Sequence, residues 1–163
     1  MIRYNQKTIA GIVSIAGVGL HSGKRARITL RPAEENTGYL FINKDIPTPI
    51  EIPALFDKVI DTTLATTIGY GNASVKTVEH LISALRGLDI DNVIVEVEGG
   101  EVPIMDGSCA PFVYILKKIS IKEQKRYKKF IMVTKEIEFR DGEKFVRIEP
   151  ASNFEIDFTI DFP

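Results

Sequence analysis

Between Thr77 and Leu88 the apolar residues Val78, Leu81, Ile82, Leu85 and Leu88 fall at spacings of three and four, a helical period inside a chain that is otherwise β-rich. Gly87 sits where such a helix would end. A second helix is expected from about Ala110 to Lys118, after the turn Asp106-Gly107-Ser108, with Ser108 as its cap. Elsewhere strands dominate. Thr8 to Leu20 reads as a strand with glycine interruptions, His21-Ser22-Gly23 as a turn, and Arg25 to Arg31 as the other arm of a hairpin by its period of two. A turn at Glu34–Gly38 precedes the apolar run Tyr39 to Ile42. Pro47, Pro49 and Pro53 then mark an extended connection, and Asn92 to Val97 is a strong strand.

The stretch Lys117 to Lys129 is rich in lysine and arginine and poor in core residues. It suggests a first domain over residues 1–122, a basic linker over 123–129, and the beginning of a second domain over 130–163. In the last of these, Phe130 to Thr134, the Asp141-Gly142 turn, Lys144 to Glu149 and Phe154 to Phe162 read as a short antiparallel meander. Its final strand is still alternating at Pro163 and would leave an apolar-faced edge, which proteins usually cover. The second domain is therefore expected to be cut short.

Several functional classes are disfavoured by composition. The 163 residues suit one ordinary domain, or a small one and the start of another. No run approaches the roughly 18 apolar residues of a membrane span, and the first residues lack the apolar core of a signal peptide, so a cytoplasmic location is expected. Cys109 is the only cysteine, which excludes an internal disulfide and a thiolate zinc site. A net charge of −1 carries no nucleic-acid signal. The basic run from Lys117 to Lys129 is expected to be solvated surface, with transient contact to the inner membrane as the other reading. Tyr127 alone is too little for a base-stacking platform.

Glu79 and His80 are neighbours on the expected helix and project about 100° apart, so they address one small volume only from a helix end or a cleft wall. Taken alone, the pair suits an ordinary solvated surface. No His-Glu-x-x-His signature occurs, and the only other histidine is His21. A catalytic zinc takes three protein ligands and leaves a position for water, so such a site would recruit His21 or residues outside the chain. His21, between Gly19 and Gly23, is either a hairpin residue held by its backbone or a residue lining a site. Asp106-Gly107-Ser108 has no accompanying histidine and reads as a turn and cap, not as a nucleophile. Cys109 reads as a small packed residue.

The runs Gly17-Val18-Gly19-Leu20-His21-Ser22-Gly23, Thr77-Val78-Glu79-His80-Leu81-Ile82-Ser83-Ala84-Leu85-Arg86-Gly87-Leu88, Asp91-Asn92-Val93 and Glu101-Val102-Pro103-Ile104-Met105-Asp106-Gly107-Ser108 resemble, in order, the UDP-3-O-acyl-N-acetylglucosamine deacetylases. The resemblance extends from Thr8 to Phe162. It implies an α+β fold: a two-layer sandwich of a mainly antiparallel sheet with helices on one face, followed by the truncated start of a second similar domain. It also implies zinc-dependent hydrolysis of the N-acetyl group of UDP-3-O-acyl-N-acetylglucosamine, the committed step of lipid A biosynthesis. Glu79 falls on the general base and His80 on a zinc ligand, while His21, Thr62 and Leu64 fall on substrate-lining positions. The other ligands, in a His-Lys-x-x-Asp motif, and a further histidine belong to a C-terminal domain and would be supplied in cis or in trans. The chain alone is then expected to be inactive, and the alternative is a non-catalytic fragment or remnant of that enzyme.

Overall fold

Alternation by twos becomes strands wherever one face finds a core to cover. In the computed structural model, which describes residues 4–161, five strands come first: β1 (Asn5–Ile9), β2 (Val13–Val18), β3 (Arg25–Pro32), β4 (Tyr39–Asn43) and β5 (Ile50–Pro53). The short strands β6 (Val59–Asp61), β7 (Thr67–Tyr70) and β8 (Ala73–Val75) lead to helix α1 (Glu79–Gly87). β9 (Val93–Glu98), helix α2 (Ala110–Ile119) and β10 (Ile121–Tyr127) follow. The chain divides into two compact units between Lys128 and Lys129.

The main sheet of the first unit has the order β2-β3-β9-β4-β5, antiparallel except where β4 runs parallel to β9. On β3, Ala26, Ile28 and Leu30 are buried, while Arg25, Arg27 and Arg31 are exposed on the other face. Ile28 and Leu30 of β3, with Val93, Val95 and Val97 of β9, form one cluster with Leu81, Ala84 and Leu85 of α1 and Phe112 and Leu116 of α2. A sheet with helices on one face is the expected α+β arrangement.

Several boundaries differ from those expected, each for a local reason. The first strand breaks at Ala10–Ile12: β1 pairs with β10, whereas β2 pairs with β3 in the main sheet. Pro47 and Pro49 lie in the connection, as expected, but Ile50–Pro53 joins the sheet as β5, because β5 is its edge and Pro53 closes the strand. α1 starts at Glu79 and not at Thr77, because Thr77 has a φ of +58° and stands outside the right-handed helix. The sheet β6-β7-β8 had no clear alternation to announce it.

The basic stretch also departs from the expected exposed connection. Most of 123–129 lies in β10, and Gln124 of that strand joins a polar network beneath it. Asn92 Nδ2 donates to Gln124 Oε1 and Gln6 Oε1, and Gln124 Nε2 donates to the carbonyl of Ala33. The Lys128 side chain is only 5% exposed; its ammonium lies 2.6 Å from Asp89 Oδ1 and 2.9 Å from Asp91 Oδ2. This lysine is not solvated surface.

In the second unit, β11 (Ile137–Asp141) and β12 (Lys144–Ile148) form an antiparallel hairpin around the expected Asp141-Gly142 turn. Phe130 to Thr134 is not a strand, and 154–161 is not one either; Phe162 and Pro163 lie outside the described residues. Ile137, Phe139, Val146 and Ile148 share one face of the hairpin by register.

Removing the Lys128 ammonium leaves Asp89 and Asp91 facing each other without their shared cation. Lys128→Ala is expected to lower unfolding free energy by about 2 kcal/mol, below the cost for a fully buried pair because Asp89 is half exposed. A urea titration measures it as a lower midpoint with unchanged slope.

Candidate active site

Glu79 and His80 are the first two residues of α1, at the end of the helix where free backbone N–H groups gather. Both are half-buried. The carboxylate of Glu79 is oriented by the β6–β7 connection: the Thr66 N–H donates to Glu79 Oε2 at 3.1 Å, and the Val78 N–H donates to the Thr66 carbonyl at 3.3 Å. Among the described residues nothing hydrogen-bonds the imidazole of His80.

Thr62 and Leu64 lie in the same connection, both exposed. Neither is joined by a hydrogen bond to Glu79, His80 or His21 among the described residues. Asp61 Oδ1 accepts from the N–H and hydroxyl of Thr63, which shapes this turn. Thr66 is the residue of the segment that hydrogen-bonds Glu79.

On the other side, Asp106 Oδ1 accepts from the backbone and hydroxyl of Ser108, and the Ser108 hydroxyl oxygen accepts from the Ala110 N–H at 3.1 Å. The N-cap position of α2 is Cys109 and not the expected Ser108, which stands one residue earlier and shapes the turn into the helix; Cys109 packs against the core. The Ser108 hydrogen bonds hold the Asp106 carboxyl below its usual range, with a smaller contribution from the charge of His80. An open groove of about 470 Å³ lies between β2 and the segment Ile104–Asp106, with Pro111 of α2 on its wall.

His21 lies in an exposed loop whose ends are closed by Gly23 N–H to Gly19 O and Gly19 N–H to Lys24 O. The tip of the loop is tied inward by a residue to which the sequence patterns assigned no role. Glu101, 1% exposed, accepts from the His21 N–H at 3.0 Å and the Thr77 hydroxyl at 2.9 Å on Oε1, and from the Ser22 N–H at 3.0 Å on Oε2. Thr77 holds a left-handed backbone that costs a β-branched residue about 1–3 kcal/mol, and its bond to Glu101 helps to hold it there. Glu101 stood in an extended stretch without periodicity, and its burial could not be read from its neighbours.

A metal needs more donors than these. Imidazole and carboxylate are zinc-binding chemistry, and His80 has ring nitrogens to offer. Among the described residues, however, no three His, Cys, Asp or Glu side chains gather to hold a metal ion, and a catalytic zinc takes three protein ligands. The described residues of this chain do not complete such a site.

Burial is the largest influence on Glu101 and opposes ionisation, but the hydrogen bonds from His21, Ser22 and Thr77 together outweigh it and hold the carboxyl at about 2. Its folded-state pKa is thus below the ordinary 4.5, so the stabilisation is present above about pH 4.5 and is lost as pH falls toward 2. The difference corresponds to roughly 3 kcal/mol. Chemical denaturation at a series of pH values is expected to show this acid loss, and Glu101→Gln to flatten it.

The family model described as UDP-3-O-acyl N-acetylglycosamine deacetylase matches residues 6–163, from β1 to the last residue of the chain. A match over nearly the whole chain is not confined to the short runs around Glu79 and Asp106. The chain belongs to this family, the deacetylases of lipid A biosynthesis.

Proposed function

We propose that this chain contributes the general base and one metal ligand to zinc-dependent hydrolysis of the N-acetyl group of UDP-3-O-acyl-N-acetylglucosamine, releasing acetate and the free amine. The observation that carries this reading is the Glu79–His80 pair on the first turn of a helix anchored in the core, with Thr66 drawn onto Glu79. His80 would hold zinc through a ring nitrogen. When bound, zinc supplies a water of pKa about 7 and polarises the acetamide carbonyl. Glu79 accepts the proton of the attacking water; its Oε2 is oriented by Thr66, and Oε1 has no hydrogen-bond partner among the described residues. His21 and the Thr62–Leu64 turn flank the substrate.

The remaining ligands come from a segment carrying the His-Lys-x-x-Asp motif, in cis or in trans. The competing reading, a non-catalytic remnant, draws on the absence of three gathered donors among the described residues. Among these residues no helix is long and apolar enough to cross a membrane. The deacetylase reading places the chain in the cytoplasm, with an acylated sugar nucleotide as partner, at most transient contact with the inner membrane surface, and no nucleic acid.

Metal analysis and titration of the chain are expected to show weak zinc binding that His80→Ala abolishes. Tight binding and acetate release are expected once the complementing segment is added. In that assembly Glu79→Gln should lower kcat by about 10² to 10⁴ with zinc content unchanged. Full activity in Glu79→Gln would remove Glu79 from the role of base, and no acetate from the completed assembly would favour the remnant.

A further inference from the structure

We propose that Glu101 is a positioning residue, whose buried carboxylate docks the Gly19–Gly23 loop, and with it His21, onto the residue that leads into Glu79 and His80. The proposal rests on the reading of Glu79, His80 and His21 as parts of one site. Its basis is geometric. One oxygen, Oε1, accepts from both the His21 N–H and the Thr77 hydroxyl, so the loop tip and the approach to α1 share a single acceptor atom. The second oxygen holds the adjacent Ser22 N–H. No lysine, arginine or histidine forms an ion pair with Glu101 among the described residues; the carboxylate is balanced by hydrogen-bond donors, two of them backbone amides of one loop.

The fit leaves no room for another side chain. A Cβ at Gly19 would lie 2.2 Å from Glu101 Oε2 and 2.3 Å from the Ser22 hydroxyl oxygen, so glycine is required there for the loop to close over the carboxylate. Glu101 itself is anchored from behind: the Val102 N–H donates to the Lys76 carbonyl and the Lys76 N–H to the Gly100 carbonyl, which fixes it beside the approach to α1. The loop it holds is exposed from Leu20 to Lys24 and contributes no side chain to the core. Burying a carboxylate to hold the tip of an exposed loop does little for packing, but it determines where His21 stands.

Glu101→Gln keeps the shape but replaces one acceptor oxygen by an NH₂ that faces a backbone donor. Amide hydrogen exchange and ¹H–¹⁵N spectra of residues 1–163 provide the test. The amides of His21 and Ser22 are expected to exchange about tenfold faster or more, with shifted His21 ring resonances, while those of Ile28 and Val95 keep their protection. Unchanged exchange at His21 and Ser22 would overturn the proposal, and so would an equal loss across the core, which would make Glu101 a residue of the fold alone. If Glu101→Gln does not fold, Gly19→Ala decides: it leaves every charge in place, and the same loop-confined change is expected. Zinc binding indifferent to His80→Ala would count against the functional reading and leave this result standing.

Discussion

A helix of nine residues is too short to persist alone in water, so α1 exists because Leu81, Ala84 and Leu85 are buried against the sheet. Everything chemical in the first unit follows from that packing. It fixes the axis of the helix, and the axis fixes where Glu79 and His80 begin. The two residues stand at the N-terminal end of the helix, directly after the buried Val78, half-buried and with no share in the apolar stripe. A Glu-His pair in the middle of the same helix would have been split between solvent and core.

The approach to that helix end is held by polar contacts from two other parts of the chain. Thr66 reaches Glu79 and Val78 from the β6–β7 connection, and Glu101 reaches Thr77 while holding the His21 loop. Each contact uses groups that would otherwise be unsatisfied: a free N–H, a buried hydroxyl, a carboxylate away from water. Among the described residues that are not exposed, no buried side-chain nitrogen or oxygen lacks a hydrogen-bond partner. The cost of burying polar atoms is therefore met at the site itself, and those atoms set the relative placement of the three segments.

Periodicity made the core legible. The spacing of Val78, Leu81 and Leu85, and the alternation in Arg25–Arg31 and Asn92–Val97, depend on one residue type meeting one face, which is a local property. The places where the reading went astray depend on a distant partner. Ile121–Tyr127 is polar enough to pass for a linker, and becomes a strand because β1 offers it an edge and Gln6 and Asn92 offer its Gln124 a network. Thr77 fits a helical pattern, and is kept out of the helix by a backbone angle that Glu101 stabilises from 24 residues away. At the candidate site, the motif resemblance singles out Glu79 and His80, whereas Glu101 and Thr66 act through hydrogen bonds that leave no period in the sequence.

The same distinction bears on the chemistry. In the proposed reading Glu79 is the general base, which needs to be held close to the proton it removes, and within this chain the Thr66 N–H orients its carboxylate. A metal ligand is different, because a zinc ion is held by several donors at once and one imidazole cannot select it over water. Orientation of the base and completion of the metal site are therefore separable. The first is built into the fold of residues 4–128, through a helix packed on a sheet and two loops hydrogen-bonded to its start. The second requires donors beyond those that the described residues bring together.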